Sequence, residues 1–250
     1  MDSGKLYLFM DANIYLSFYS YSKDNLNTLT NIYEKLRKDH FEIIVNELLQ
    51  DEFNRRRESR FKETLDYKYD ITININAPIL LSDNLEDFEN LKKLEKRLST
   101  AAKEYNIKYK EILQKVRDRY RDEKLFPDTI IKRIFNKAKK IDITPEVLKN
   151  AQYRTALHNP PGKPNKLGDR LHWELLLHGI NKGDKLIIIS NDSDFFSLIS
   201  NDCINPFLSK EWKKLKDSPI EAFRCLNDFL KVYLPEFELE IELAQQIHEE

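Results

Sequence analysis

Lys185-Leu186-Ile187-Ile188-Ile189-Ser190-Asn191-Asp192-Ser193-Asp194-Phe195 is the stretch that decides the fold. Its first half is an unbroken aliphatic run entered from the Gly183-Asp184 turn. Apolar density without alternation reads as a strand buried on both faces. Its second half turns polar at once and carries two carboxylates. Two other stretches have the same build. Residues 5–10 form a short apolar strand stopped by Asp11, with Asn13 just beyond. Phe41 to Val45 is a second apolar run, followed by Asn46, a helix N-cap residue type, and a helix predicted from Glu47 to about Lys62. Between these runs, Leu26, Leu29, Ile32, Tyr33 and Leu36 recur at helical spacing. Leu167 to His178 reads as another helix with a wide apolar face. Continuous strands alternating with helices predict an α/β fold with a mainly parallel sheet covered on both sides. Cys203 to Leu208 reads as a further strand and Ser218 to Leu234 as a further helix.

The chain has 250 residues, 41% hydrophobic and 33% charged, which suits one large domain with a substantial insertion. The insertion is expected at about 63–152, where glycine is absent and long charged helical runs dominate. Lys and Arg number 41 against 42 Asp and Glu, so net charge steers the protein toward neither nucleic acid nor membrane. The balance conceals local bias: residues 103–140 hold 13 basic and 6 acidic residues, while 217–250 hold 9 acidic and 2 basic. Two cysteines, Cys203 and Cys225, are too few to staple a secreted scaffold of this size and lack metal-knuckle spacing. With no export-signal pattern and no long apolar segment, the expected setting is the cytoplasm, away from membrane. Four of five glycines (Gly162, Gly168, Gly179, Gly183) crowd one stretch, which marks it as the place to look for chemistry.

Open parallel sheets bind ligands just beyond the carboxyl ends of their strands. Here those ends deliver Asp11 and Asn13, then Asp51 and Glu52 on the helix after the second run, Asp169 at a helix start, and Asp192 and Asp194. Carboxylates gathered in a partly dry cleft repel one another unless a divalent cation compensates them. An all-oxygen donor set favours a hard cation, Mg2+ or Mn2+.

The order Leu8-Phe9-Met10-Asp11-Ala12-Asn13, then Glu52, then Gly168-Asp169, then Ile189-Ser190-Asn191-Asp192-Ser193-Asp194-Phe195 resembles the PIN-domain nucleases. The stretch Asn159-Pro160-Pro161-Gly162-Lys163-Pro164 leading into Gly168-Asp169-Arg170-Leu171-His172-Trp173-Glu174 is similar to a bacterial branch of PIN-like proteins with a long helical insert. The resemblance covers residues 5–62 and 153–234. It implies a three-layer PIN-like sandwich and a catalytic, metal-binding tetrad of Asp11, Glu52, Asp169 and Asp192, supported by Asn13, Ser190, Asp194 and Glu174. It further implies an Mg2+- or Mn2+-dependent endonuclease leaving 5′-phosphate and 3′-hydroxyl ends. Single-stranded RNA is favoured over DNA, and a toxin or defence effector with a protein regulator is the expected setting. The alternatives are a DNA-cleaving enzyme and a silent binding or scaffold module; a phosphatase is disfavoured because Asp11-Ala12-Asn13 lacks the second aspartate that chemistry needs.

Several positions have plain structural readings too. Glu47 and Asp51 compete with Glu52, and helical periodicity does not choose among them; the resemblance selects Glu52. Asp194 is expected to cap the helix that starts near Phe195, leaving Asp192 for metal. Glu174 lies about 140° round the helix from Asp169, which suits a solvated or supporting role. Arg55, Arg56, His158, Lys163 and Arg170 are the expected substrate-phosphate contacts, although Arg55-Arg56-Arg57 also reads as a solvated helix face. Tyr105, Tyr109 and Tyr120 are candidate base-stacking groups or core residues. The alternating tail Glu236 to Glu242 reads as an edge strand or a partner contact.

Overall fold

The computed structural model describes residues 5–21, 23–65, 71–73, 80, 85–163, 166–200 and 202–237. Most of the acidic tail, with the edge strand expected there, lies outside the described residues. Two compact units are present, one of residues 1–61 with 126–250 and one of residues 62–125.

The first unit is built on five parallel strands: β1 (Leu6–Met10), β2 (Phe41–Asn46), β3 (Lys139–Ile141), β4 (Lys185–Ile189) and β5 (Ile220–Phe223), in the order β3-β2-β1-β4-β5. Tyr7 to Met10, Ile43 to Val45 and Leu186 to Ile189 are buried, as a sheet covered on both faces requires. Each such aliphatic side chain taken from water stabilises the fold by about 1.5–3 kcal/mol, and these three strands form the centre of a core to which the flanking helices add their apolar faces. Register sets the functional edge. Phe9 pairs with Ile44 and Met10 with Ile189, so the chain leaves β1, β2 and β4 at one level, through Asp11, Asn46 and Ser190. From β1 the chain moves outward through β2 to β3, and later fills the other side with β4 and β5. The switch point of the topology thus lies between the ends of β1 and β4.

The helices of this unit are α1 (Ala12–Ser17), α2 (Lys23–Lys38), α3 (Glu47–Leu65, whose last residues enter the second unit), α5 (Phe126–Lys137), α6 (Pro145–Ala156), α7 (Gly168–Gly179), α8 (Pro206–Lys216) and α9 (Leu226–Tyr233). Helix α7 buries Leu171, Trp173, Leu175, Leu176 and Leu177, and with them Arg170 and His172. At its end, a Cβ on Gly179 would meet Ile141 Cδ1 at 2.3 Å, so the close approach to β3 requires glycine there. Arg57 is buried, with Nε and Nη2 each 2.9 Å from an Asp128 oxygen and Nε 2.9 Å from the Tyr19 hydroxyl, which pins α3 to α5. It therefore leaves the solvated face that its neighbours Arg55 and Arg56 occupy.

Two local expectations are corrected, and one strand has no counterpart in the sequence reading. The strand expected over Cys203 to Leu208 is a helix start: Asn205 Oδ1 accepts the Phe207 N–H at 2.9 Å, Pro206 opens α8, and pairing is limited to a Phe196–Ile204 bridge. Ser218 to Leu234 splits into β5 and α9. Strand β3, unread in sequence, is a three-residue edge strand whose two lysines hide it; Lys139 Nζ lies 3.0 Å from the Gly179 carbonyl and 3.2 Å from the Tyr7 hydroxyl.

In the second unit, α4 (Leu85–Arg121) runs for 37 residues. Asn106 clamps an extended neighbour, accepting the Ile71 N–H at 3.1 Å and donating to its carbonyl at 3.0 Å. The Tyr105 and Tyr109 rings stack at 6.2 Å and 18° on this basic helix, with Tyr105 exposed.

Candidate active site

Each acidic group at the sheet edge is held by the backbone around it. Asp11 leaves β1 and caps α1: Oδ1 accepts the Ala12 N–H at 2.7 Å, and Oδ2 accepts the Ser190 hydroxyl at 3.0 Å and the Asn13 amide at 3.5 Å. Ser190, fully buried at the end of β4, also accepts the Asp192 N–H at 3.0 Å through the same Oγ. One hydroxyl thus ties the ends of the two central strands together. Asp192 Oδ1 in turn accepts the Asp194 N–H at 3.0 Å and opens a 3-10 turn over Ser193–Phe195. Asp192 is therefore the cap, not Asp194 as the sequence led one to expect; the turn leaves the Asp194 carboxylate clear.

Asp169 sits in the first turn of α7 and completes the group. Asp169, Asp192 and Asp194 are half-buried, and each offers an oxygen within 4.8 Å of the others. Asp11 and Glu52 are not members of this trio. Burial raises the Asp11 carboxyl first and the Glu52 charge raises it next; the His172 ring, the Ser190 hydroxyl and the Ala12 N–H draw it down. Burial also raises Asp169, with repulsion from Asp192, Asp11 and Asp194 adding to it while His172 opposes. Asp194 is raised by burial and by Asp192, against Lys163, Arg170 and Lys166. A set of oxygens held together against their own repulsion is what a hard cation relieves.

Glu52 faces this edge from α3, half-buried, whereas Glu47 and Asp51 are exposed. Its Oε1 lies 3.2 Å from Arg56 Nη1 and its Oε2 3.9 Å from His172 Nε2. The His172 ring, then Arg56, hold its carboxyl below the usual range despite partial burial. His172 was not read from sequence as a site residue. Its signal was available: it stands three residues after Asp169, on the same face of α7.

The loop before α7 is organised from below. Arg170, expected to touch substrate, is buried at 1% exposure and points the other way. Its guanidinium donates to the carbonyls of Asn159 (2.8 Å), Lys163 (2.8 Å), Lys166 (2.6 Å) and Gly162 (3.2 Å). Gly162 has φ +97°, and a Cβ there would stand 3.1 Å from Asp169 Oδ2. Glu174 lies apart from the carboxylate trio: it accepts Arg154 Nε at 2.7 Å, and Arg154 also donates to Glu211 (2.6 Å) and the Pro160 carbonyl (2.8 Å). Its support of the site is indirect, through that loop. His158 is exposed at φ +56° just past α6, and Lys163 is exposed on the loop; Arg55 and Arg56 are exposed on α3.

Residues 8–195 match the PIN-domain family, a span that runs from the first strand through the Asp192–Asp194 turn. The chain belongs to the PIN-domain family. No curated protein and no solved structure matches it significantly. The PIN match covers Asp11, Glu52, Asp169, Asp192 and Asp194, and the parallel sheet of the first unit agrees with the α/β fold that the family resemblance implied. A nuclease class and a nucleic-acid substrate follow from membership, and the acidic trio lies at the sheet edge where such a site belongs. Among the described residues, no helix is long and apolar enough to cross a membrane.

Proposed function

We propose that this PIN domain is an Mg2+- or Mn2+-dependent endonuclease whose favoured substrate is single-stranded RNA. The observation that carries the reading is the convergence of Asp169, Asp192 and Asp194 at the switch point of the sheet, each with an oxygen within 4.8 Å of the others. Three carboxylate oxygens at that spacing, with Asp169 and Asp194 raised first by burial and then by the Asp192 charge, fit a hard divalent ion. Bound there, the ion supplies Lewis acidity toward a phosphate oxygen and lowers the pKa of a water.

The chain's own groups do the rest. Asp11, with both oxygens already engaged, closes the site on the β1 side and keeps Asp192 in place through Ser190. Glu52, kept ionised by His172 and Arg56, offers an acceptor that can orient a water. Lys163 and Lys166 add positive potential beside Asp194, suited to an incoming phosphate. In the second unit, which we read as part of an insertion into the PIN domain, the Tyr105–Tyr109 stack on a basic helix suits unpaired bases. The free thiols Cys203 and Cys225 accord with a reducing cytoplasm.

The test is incubation of the purified protein with end-labelled single-stranded RNA or the matching DNA, in Mn2+, Mg2+ or EDTA, beside the Asp11→Asn plus Asp192→Asn variant. The reading expects metal-dependent cleavage of RNA that the variant lacks. Cleavage of DNA alone would move the substrate, and binding without cleavage on every substrate would overturn the enzyme.

A further inference from the structure

Asn46 is the last residue of β2, and its side chain has two neighbours. Its Oδ1 accepts the Leu49 N–H at 2.8 Å. A backbone N–H can only donate, so this bond fixes which way the amide points and leaves Nδ2 facing His172 Nδ1 at 3.2 Å. An amide nitrogen likewise only donates. His172 Nδ1 is therefore the acceptor, and the neutral ring carries its proton on Nε2. The ring cannot swing away: His172 is 4% exposed and packs against Phe9 at 5.5 Å between centroids. Its Nε2 is buried and has no hydrogen-bond partner among the described residues. The nearby carboxylate is Glu52, whose Oε2 stands 3.9 Å away while its Oε1 is taken by Arg56. A buried N–H left unsatisfied is costly, a penalty that a small turn of the Glu52 side chain removes.

We infer that His172 is a positioning residue for this site, with Asn46 setting the tautomer that aims its Nε2–H at Glu52. The role rests on the nuclease reading above; the tautomer does not. His172 stands one turn from Asp169 on α7, while Asn46 stands at the root of α3, which carries Glu52. The pair thus couples the two helices that present these carboxylates. Arg56 reaches Glu52 from the exposed side and is free to exchange it for a phosphate; His172 holds it from the buried side and is not.

The test uses the full chain and two readouts. In metal-free wild type, long-range 15N–1H correlation of the histidine rings is expected to show His172 protonated on Nε2 and bare on Nδ1. Asn46→Asp keeps an acceptor for Leu49 but replaces the donor facing the ring, and is expected to move the proton to Nδ1. In single-turnover cleavage with Mn2+ over a range of enzyme concentrations, His172→Leu and Asn46→Asp are expected to lower the maximal cleavage rate about 10- to 100-fold with the half-saturating concentration little changed. His172→Gln, which keeps a donor near the Nε2 position, is expected to recover most of that loss. An Nδ1–H spectrum in wild type, a His172→Leu protein that cleaves at the wild-type rate, or a His172→Gln protein as slow as His172→Leu would each overturn the inference. A wild type that cleaves nothing while showing the Nε2–H form would instead remove the nuclease reading, and the positioning role with it.

Discussion

The Ser190 hydroxyl donates to Asp11 at 3.0 Å while accepting the Asp192 N–H at 3.0 Å, so one buried atom links the ends of β1 and β4. Ser190→Ala removes the donor that draws the Asp11 carboxyl down and leaves the Asp192 N–H without that acceptor. Asp11 then rises further, and the acid limb of the pH–rate profile is expected to move to higher pH. Activity is expected to fall about 10- to 100-fold, as for other groups that orient a catalytic carboxylate. A rate profile superimposable on wild type would contradict this.

Carboxyls raised by burial, and further by neighbouring carboxylates, leave a sign in stability. Asp11, Asp169 and Asp194 hold protons more tightly folded than unfolded, so their penalty is full above the raised values. It is relieved as pH falls toward the ordinary carboxylate range. Asp194→Asn is the clean probe, because the backbone N–H of that residue, not its carboxylate, bonds Asp192. Metal-free Asp194→Asn is expected to melt above wild type at neutral pH, by roughly 2–4 °C for each kcal/mol relieved. The gap should shrink on acidification. Mn2+ should raise wild type more than the variant, and scanning calorimetry reads all three.

Arg170 gathers four loop carbonyls that no lysine can reach together. Arg170→Lys is expected to destabilise the protein by about 3 kcal/mol, since the buried guanidinium is lost and four loop carbonyls lose charge-assisted donors. Protease cutting between Asn159 and Lys166 should accelerate, and activity should fall through the loosened Asp169. Chemical unfolding with limited proteolysis checks both.

Gly162 meets two demands at once, a φ of +97° and a Cβ position 3.1 Å from Asp169 Oδ2. Gly162→Ala is expected to cost about 1–2 kcal/mol for the left-handed backbone and to displace the carboxylate. Mn2+ affinity measured by calorimetric titration should drop alongside Tm. Unchanged affinity would mean that Asp169 does not hold the ion.

Strand ends were the legible part of this protein. Runs such as Leu186 to Ile189, short, mostly β-branched and entered from a Gly-Asp turn, read as doubly covered strands, and Asp11 and Asp192 follow from where such runs stop. What stayed hidden depends on tertiary partners. Strand β3 carries two lysines whose partners, Tyr7 and Gly179, come from elsewhere in the chain. Arg170 looks like a phosphate ligand until the loop carbonyls close on it. That Glu52 and not Asp51 turns toward the site follows from how α3 packs through Leu49 and Phe53, which brings Glu52 near His172, 120 residues away in sequence. The capping role fell to Asp192 and not Asp194 because the turn after β4 is 3-10, a distinction of one residue that side-chain type does not encode.

The most direct test of the central claim is single-turnover cleavage of end-labelled single-stranded RNA by wild type and Asp192→Asn at matched Mn2+, with an EDTA control. Wild type is expected to cleave only with metal, and Asp192→Asn to lose about 100-fold or more. Equal cleavage by both proteins, or cleavage that survives EDTA, would contradict a cation-dependent site at Asp169, Asp192 and Asp194.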